Sequence, residues 1–184
     1  RNIVKNIFVD EHNGIWVASD QGLILIKENN FKKIDVDKSI NEEISFVRRI
    51  EIADKNEIYF TSQFLLNKIE NNRSIKIDEI NTSYEIFDFV IADNNLIIST
   101  RNGDLITFNK SYQIIHEIKF ENDRPNHLYV DSQKNLWFYL ENKKKVFSLS
   151  KDYSISEYNF NDQSNAYIEV IKEFDGEIYI AGLA

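Results

Sequence analysis

The chain has 184 residues, enough for one domain with a real core or for a stretch of a repeat array, and its 42% hydrophobic and 13% aromatic content is too apolar for disorder. The net charge is −8, from 22 Lys and Arg against 30 Asp and Glu, and the cations are scattered, which argues against nucleic acid and anionic membrane surfaces as partners. With no cysteine there is no thiol catalysis, disulfide or thiolate metal site, and no apolar run approaches the roughly 18 to 20 residues of a bilayer span, so direct membrane insertion by this segment is not expected.

The first strand run is IVKNIFV, residues 3–9, followed by the turn DEHNG, the run IWVAS, a short turn at Asp20 and Gln21, the run LILIK, and a fourth run in FKKIDV. Short runs rich in Ile, Val, Phe and Trp, separated by Asn, Asp or Gly, read as strands. Asp10 is expected to cap its own turn by accepting nearby backbone N–H groups, and Asn13-Gly14 to supply left-handed turn positions. The loop lacks the alternating acidic ligands and closing Glu of a calcium-binding hand.

The same pattern returns as VRRIEIADKNEIYFTSQFLL, FDFVIADNNLIISTRNGDLITF, NHLYVDSQKNLWFYLENKKKVFSL and IEVIKEFDGEIYIAGLA. Aligned on Trp16, Tyr59, Ile97, Trp137 and Tyr179, the spacings are 43, 38, 40 and 42 residues. A period near 40 with four short strands per copy is that of a β-propeller blade. The aligned aromatics are expected to fill the space between neighbouring sheets. The run Lys143, Lys144 and Lys145 is read as a solvated hairpin turn, since no glycine-rich loop or helix start accompanies it.

No segment sustains a 3.6-residue apolar period, which excludes solenoids of helix pairs. The expected fold is therefore an all-β propeller with about four complete four-stranded blades, approximately 1–42, 43–82, 83–122 and 123–163, and part of a fifth over 164–184. With only 5 glycines and 1 proline, the turns must lean on Asn and Asp. Four and a half blades leave sheet faces open, so the reading expects either a fragment of a larger, about seven-bladed propeller or a second copy covering those faces.

The residues IFVDEHNGIWVASDQGLILI resemble the two-component regulator propeller repeat: Ile7, Asp10, Gly14, Ile15, Trp16, Val17, Ala18, Ser19, Gly22 and Leu23 all fall on its pattern. Later copies depart from it, with Glu57 and Phe64 in place of glycines, Ile97 in place of Trp, and Asn135 in place of the hairpin glycine. The resemblance implies the periplasmic sensor region of a hybrid two-component system histidine kinase, with oligosaccharide ligands, a homodimer in the full receptor and kinase output outside this chain. It implies no cofactor.

In a propeller the loops before the first strand and between the second and third strands gather on one face. That places Asp20, Gln21, Gln63, Phe64, Arg101, Asn102, Glu141 and Asn142 from the second-to-third turns, and Asn126, His127 and Tyr167 from the approaches to blades four and five. Amides, carboxylates, one Arg and aromatic rings suit saccharide hydroxyls and sugar faces, and the Arg101 fork suits a carboxylated sugar.

Catalysis is not expected. His12 falls in a hairpin on the other side, His116 in an outer strand or its approach, and His127 has no second histidine on its face. There is no nucleophile elbow, no H-E-x-x-H and no cluster at metal-ligand spacing. Two other readings are a protein-docking scaffold and an enzyme like the streptogramin lyases, which are propellers with related repeats.

Overall fold

A computed structural model describes residues 3–28, 30–36, 46–53, 57–62, 64–70, 73–80, 85–159 and 167–183. Every regular element among them is a strand, and no helix is long and apolar enough to cross a membrane. The chain divides into two compact units, Arg1–Ile86 and Phe87–Ala184.

The first unit holds two blades. β1 (Val4–Val9), β2 (Ile15–Ser19), β3 (Gly22–Lys27) and β4 (Asn30–Lys33) form an antiparallel meander in chain order. β6 (Ile50–Ile52), β7 (Ile58–Ser62), β8 (Leu65–Glu70) and β9 (Arg73–Lys76) repeat it. The link between the blades differs from the sequence reading: β5 (Asp35–Val36), assigned to the tail of the first blade's fourth strand, pairs in parallel with Arg73 and Ser74 of β9. Period-2 alternation turns Trp16, Ala18 and Leu23 toward Ile50, Ile58 and Phe60, a core in which these residues are buried.

The second unit holds two blades and a hairpin. β10 (Ile86–Ala92), β11 (Asn95–Thr100), β12 (Asp104–Phe108) and β13 (Ile114–Lys119) make the third blade. β14 (Pro125–Val130), β15 (Leu136–Leu140), β16 (Lys145–Leu149) and β17 (Ile155–Tyr158) make the fourth, and β18 (Tyr167–Phe174) with β19 (Glu177–Leu183) makes the hairpin. Val90, Ile97 and Leu105 pack with Leu128, Leu136 and Phe138 between blades three and four. Tyr139 and Val146 pack with Ile168 and Ile171 between blade four and the hairpin.

The turns use Asn and Asp where expected, and other residues besides. Asp93 and Asn94 both have positive φ, 48° and 63°, as a two-residue type I′ hairpin turn requires. Asn13 is left-handed at 59°, but Gly14 is not among the positive-φ residues. Lys134, Tyr112 and Tyr153 also take left-handed turn positions, at 70°, 56° and 63°.

The aligned aromatic position divides. Trp16 is buried and Trp137 and Tyr59 are half-buried, whereas Tyr179 is 52% exposed, which corrects the expectation that it packs between sheets. Ile178 and Ile180 pack toward blade four, so Tyr179 between them stands on the opposite face of β18–β19.

Candidate functional site

Four of the expected residues meet in the second unit. Arg101 and Asn102 form the β11–β12 turn, and Glu141 and Asn142 begin the β15–β16 turn. Together with Asn122, Asp123 and Arg124, from the segment leading into β14, they line an open cleft of about 390 Å³.

Gly103 lets these segments approach. Its φ is 93°, and a Cβ there would stand 2.3 Å from the backbone oxygen of Asp123 and 2.4 Å from that of Phe120. A glycine alone provides both the left-handed backbone and the missing volume. The N–H of Phe120 donates to Gly103 O at 2.9 Å, joining the two segments directly.

Asp123 sets the other wall. Its buried carboxylate accepts the backbone N–H groups of Arg124 at 2.9 Å and Asn142 at 3.2 Å through Oδ1, and of Lys143 at 3.0 Å through Oδ2. Asn142 Nδ2 donates to Asn122 O. These charge-assisted bonds clamp the β15–β16 turn to the segment before β14, so Asp123 organises the cleft.

The cations around it are held as well. The Arg124 guanidinium lies 4.2 Å from the Phe87 ring centroid and 3.6 Å from Glu141 Oε2. Lys119 Nζ donates to Asn102 O and to Asp104 Oδ1, both at 2.6 Å, and Thr100 Oγ1 donates to Asp104 Oδ2 at 2.7 Å. Burial works to raise the Asp104 carboxyl, but the Lys119 and Thr100 hydrogen bonds outweigh it and hold it below the ordinary carboxylate value. Arg101 is exposed at the rim. The cleft thus offers a guanidinium fork and side-chain amides from walls that are already ordered.

Asn126, His127 and Tyr167 do not line this cleft. Asn126 is 3% exposed, opposite Tyr139 across the β14–β15 ladder, and its Oδ1 has no hydrogen-bond partner among the described residues. His127 has φ 54° within a register shift between Asn126 and Tyr129, a bulge in β14. The next residue, Leu128, donates its N–H to Oδ2 of the buried Asp88 at 2.8 Å, which ties the bulge to β10. The His127 ring meets Tyr167 edge-on at 6.3 Å, and Tyr167 meets Tyr139 likewise at 6.4 Å. Burial pushes the Tyr139 hydroxyl up, and the charges of Glu141, Tyr167 and Asp123 add to the effect.

In the first unit, Asp20 Oδ1 lies 3.5 Å from Lys5 Nζ, and the N–H of Gln21 donates to Ser19 Oγ at 3.2 Å. Phe64 is left-handed at 67°, and the Arg48 guanidinium lies 5.4 Å from its ring centroid. Gln63 lies outside the described residues.

Sequence reasoning missed Asn122, Asp123 and Arg124. The sequence signal for them is the polar run N-D-R immediately before Pro125, just upstream of Asn126 and His127. His12 sits beside Glu11 at 3.6 Å, and His116 stacks on Tyr153 at 3.7 Å and 6°. Among the described residues no group of three or more His, Asp or Glu could hold a metal ion.

No protein-family model matches the chain, and no curated protein matches it in sequence. Solved structures do resemble it. A catalytically inactive virginiamycin B lyase from Staphylococcus aureus with quinupristin superposes with a TM-score of 0.79 at 19% identity, over 97% of this chain and 62% of the lyase. The extracellular domain of the hybrid two-component system BT4673 from B. thetaiotaomicron gives 0.77 at 14% identity, over 97% and 27%. The WD40 β-propeller domain of Doa1 gives 0.74 at 13% identity, over 97% and 60%. The chain therefore spans less than two thirds of the length of each. At these identities the likeness concerns architecture, and with the meander sheets it establishes the fold as an all-β propeller of four four-stranded blades and a further hairpin.

Proposed function

We propose that this chain is a ligand-sensing propeller segment from the extracytoplasmic part of a hybrid two-component sensor, that it binds a small oligosaccharide, and that the kinase output lies elsewhere. The observation that carries the reading is the cleft of the second unit, where Arg101, Asn102, Glu141 and Asn142 converge on clamped turns. Sugar recognition needs fixed donors and acceptors, because an ordered wall loses little side-chain entropy when hydroxyls bind. The propeller likeness to the extracellular domain of BT4673 supports the sensor setting. The extracytoplasmic location and the carbohydrate class belong to the same proposal.

A lyase-like enzyme is the second reading, favoured by the likeness to virginiamycin B lyase. The cleft residues do not suit it: none is a histidine, and both carboxylates have partners, Asp123 the backbone N–H groups and Glu141 the Arg124 guanidinium. Catalysis by proton transfer calls for a poised acid or base within reach of substrate.

Thermal shift of the full chain against a panel of neutral and acidic oligosaccharides tests the proposal. A concentration-dependent rise in melting temperature that Arg101→Ala removes, in a variant that circular dichroism shows to be folded, is the expected result. No shift with any glycan, or turnover of quinupristin by the purified chain, overturns it.

A further inference from the structure

The carboxylates at the cleft are not alike. Asp123 is buried and accepts the backbone N–H groups of Arg124, Asn142 and Lys143. Asp104 accepts Lys119 Nζ and Thr100 Oγ1. Both are committed to the fold. The Glu141 side chain is 40% exposed, and among the described residues its partner is the Arg124 guanidinium, 3.6 Å from Oε2. That separation is too long for a hydrogen bond, and an ion pair at such exposure contributes little to stability.

Arg124 stands apart from the neighbouring cations in the same way. Lys119 is bound to Asn102 O and Asp104, and Lys145 to Glu157. The Arg124 guanidinium is placed by a ring instead, with its carbon 4.2 Å from the Phe87 centroid. Contact with a ring face fixes where a guanidinium sits without consuming its N–H groups. Among the described residues, the hydrogen bond that Arg124 donates comes from its backbone N–H, to Asp123 Oδ1. The backbone beneath it is fixed by that bond on one side and by Pro125, which opens β14, on the other. Five donors in one plane therefore reach the cleft already positioned.

We infer that Arg124 is the specificity-determining residue of this cleft: resting on the reading of the cleft as a saccharide site, its guanidinium pairs with a carboxylate carried by the sugar, and Glu141 holds that place in the unliganded chain until the sugar acid displaces it. The chemical class follows from what the chain itself sets there. Glu141 is a carboxylate, the planar partner that a guanidinium fork binds through two parallel N–H bonds. A ligand acid that makes both bonds outcompetes a side chain at 3.6 Å that makes neither. The displaced Glu141 turns into solvent, away from a like charge. Glu141 is thus a filter as well as a stand-in, because a neutral sugar brings nothing that replaces it on Arg124.

Nuclear magnetic resonance of the isotope-labelled full chain tests this, with the arginine Nε–H signals read during titration and Arg124→Lys used to assign the Arg124 signal. The probes are methyl glucuronoside, its neutral counterpart methyl glucoside, and a methyl glucoside sulfated at the primary hydroxyl. The glucuronoside is expected to shift the Arg124 signal saturably and the neutral glucoside to leave it in place. Glu141→Gln, checked by circular dichroism for an intact β-sheet signal, is expected to tighten glucuronoside binding by about two- to fivefold, the gain from removing one exposed ion-pair competitor. A merely structural role for Glu141 gives no tightening. Equal or weaker glucuronoside binding in Glu141→Gln, an Arg124 signal that the glucuronoside leaves unmoved, or a sulfated glucoside that moves it as far overturns the inference. Its failure is separable from that of the saccharide reading. A neutral glycan that raises the melting temperature while the glucuronoside leaves Arg124 unmoved sinks this inference and keeps the sugar site; movement of Arg124 by the glucuronoside, with no stabilisation by any oligosaccharide, keeps the Arg124 assignment and sinks the oligosaccharide reading.

Discussion

The indole of Trp137 donates its Nε1–H to Asp131 Oδ2 at 2.8 Å, and Trp16 makes the same bond to Asp10 Oδ2 at the same 2.8 Å, in another copy of the repeat. The correspondence extends to the backbone: Gly14 N–H and Asn135 N–H each donate to Oδ1 of their aspartate at 2.7 Å. The aspartate therefore closes the hairpin and anchors the aromatic ring that fills the next interface. A polar edge pinned in this way lets a large ring enter a core in one orientation.

Removing the anchor should destabilise the second unit. Asp131 is 7% exposed, so Asp131→Ala leaves the Asn135 N–H and the Trp137 indole without their acceptor, at an expected cost of about 2 kcal/mol. Trp137→Phe should also destabilise, by losing the bond and some packing. Urea unfolding followed by tryptophan fluorescence for the first variant and circular dichroism for the second measures both, and an unchanged midpoint for Asp131→Ala would show that the bond contributes nothing net.

The same aspartates predict acid sensitivity. Burial acts to raise the carboxyls of Asp10 and Asp131, but hydrogen bonds from the tryptophan indoles and turn amides outweigh it and hold both below the ordinary value. Asp104 is held low by Lys119 and Thr100 in spite of burial. A carboxyl lowered on folding contributes stability that is fully present above its unfolded value, about 3.9, and is lost as pH falls through the folded value. The urea midpoint should therefore respond little to these groups above about pH 5 and fall below about pH 4. Asp131→Asn should flatten that fall, and an equal slope in wild type and variant contradicts the assignment.

Gly103→Ala should damage the cleft. The added methyl meets two backbone carbonyl oxygens at 2.3 and 2.4 Å, and neither can yield as a flexible side chain would. The left-handed φ of 93° adds strain. The expected loss is about 2–3 kcal/mol of stability. The Lys119 bond to Asn102 O should weaken with it, read as faster exchange of the amides around the β11–β12 turn.

Asp88 holds the strained bulge. Its Oδ2 accepts the Leu128 N–H at 2.8 Å and its Oδ1 the Phe89 N–H at 2.9 Å, both in buried surroundings. Asp88→Ala should cost about 2–3 kcal/mol by stranding those donors. Hydrogen exchange at Leu128 should accelerate far more than at Leu136, and equal protection at both would contradict a local role.

Much of the cleft's geography was legible. Once the period near 40 was seen, Arg101, Asn102, Glu141 and Asn142 fell at corresponding turns, and all four line one cleft. Asp123 was not legible, because its importance lies in accepting N–H groups from Asn142 and Lys143, 19 and 20 residues away. The bulge at His127 was equally hidden, since it depends on Asp88, 40 residues before Leu128.

What the sequence by itself determined was local: period-2 alternation made strands, Asp10 and Asn13 made a hairpin, and the repeated run of strands made blades, all of which depend on residues within a few positions of one another. Only the tertiary structure decided which sheet Asp35 and Val36 would join, which loops Gly103 would bring together, and that Tyr179, aligned with the buried Trp16, would face solvent. Those outcomes turn on which segment packs across each strand and how closely its backbone approaches, and pattern along a single strand carries no record of what lies across the gap.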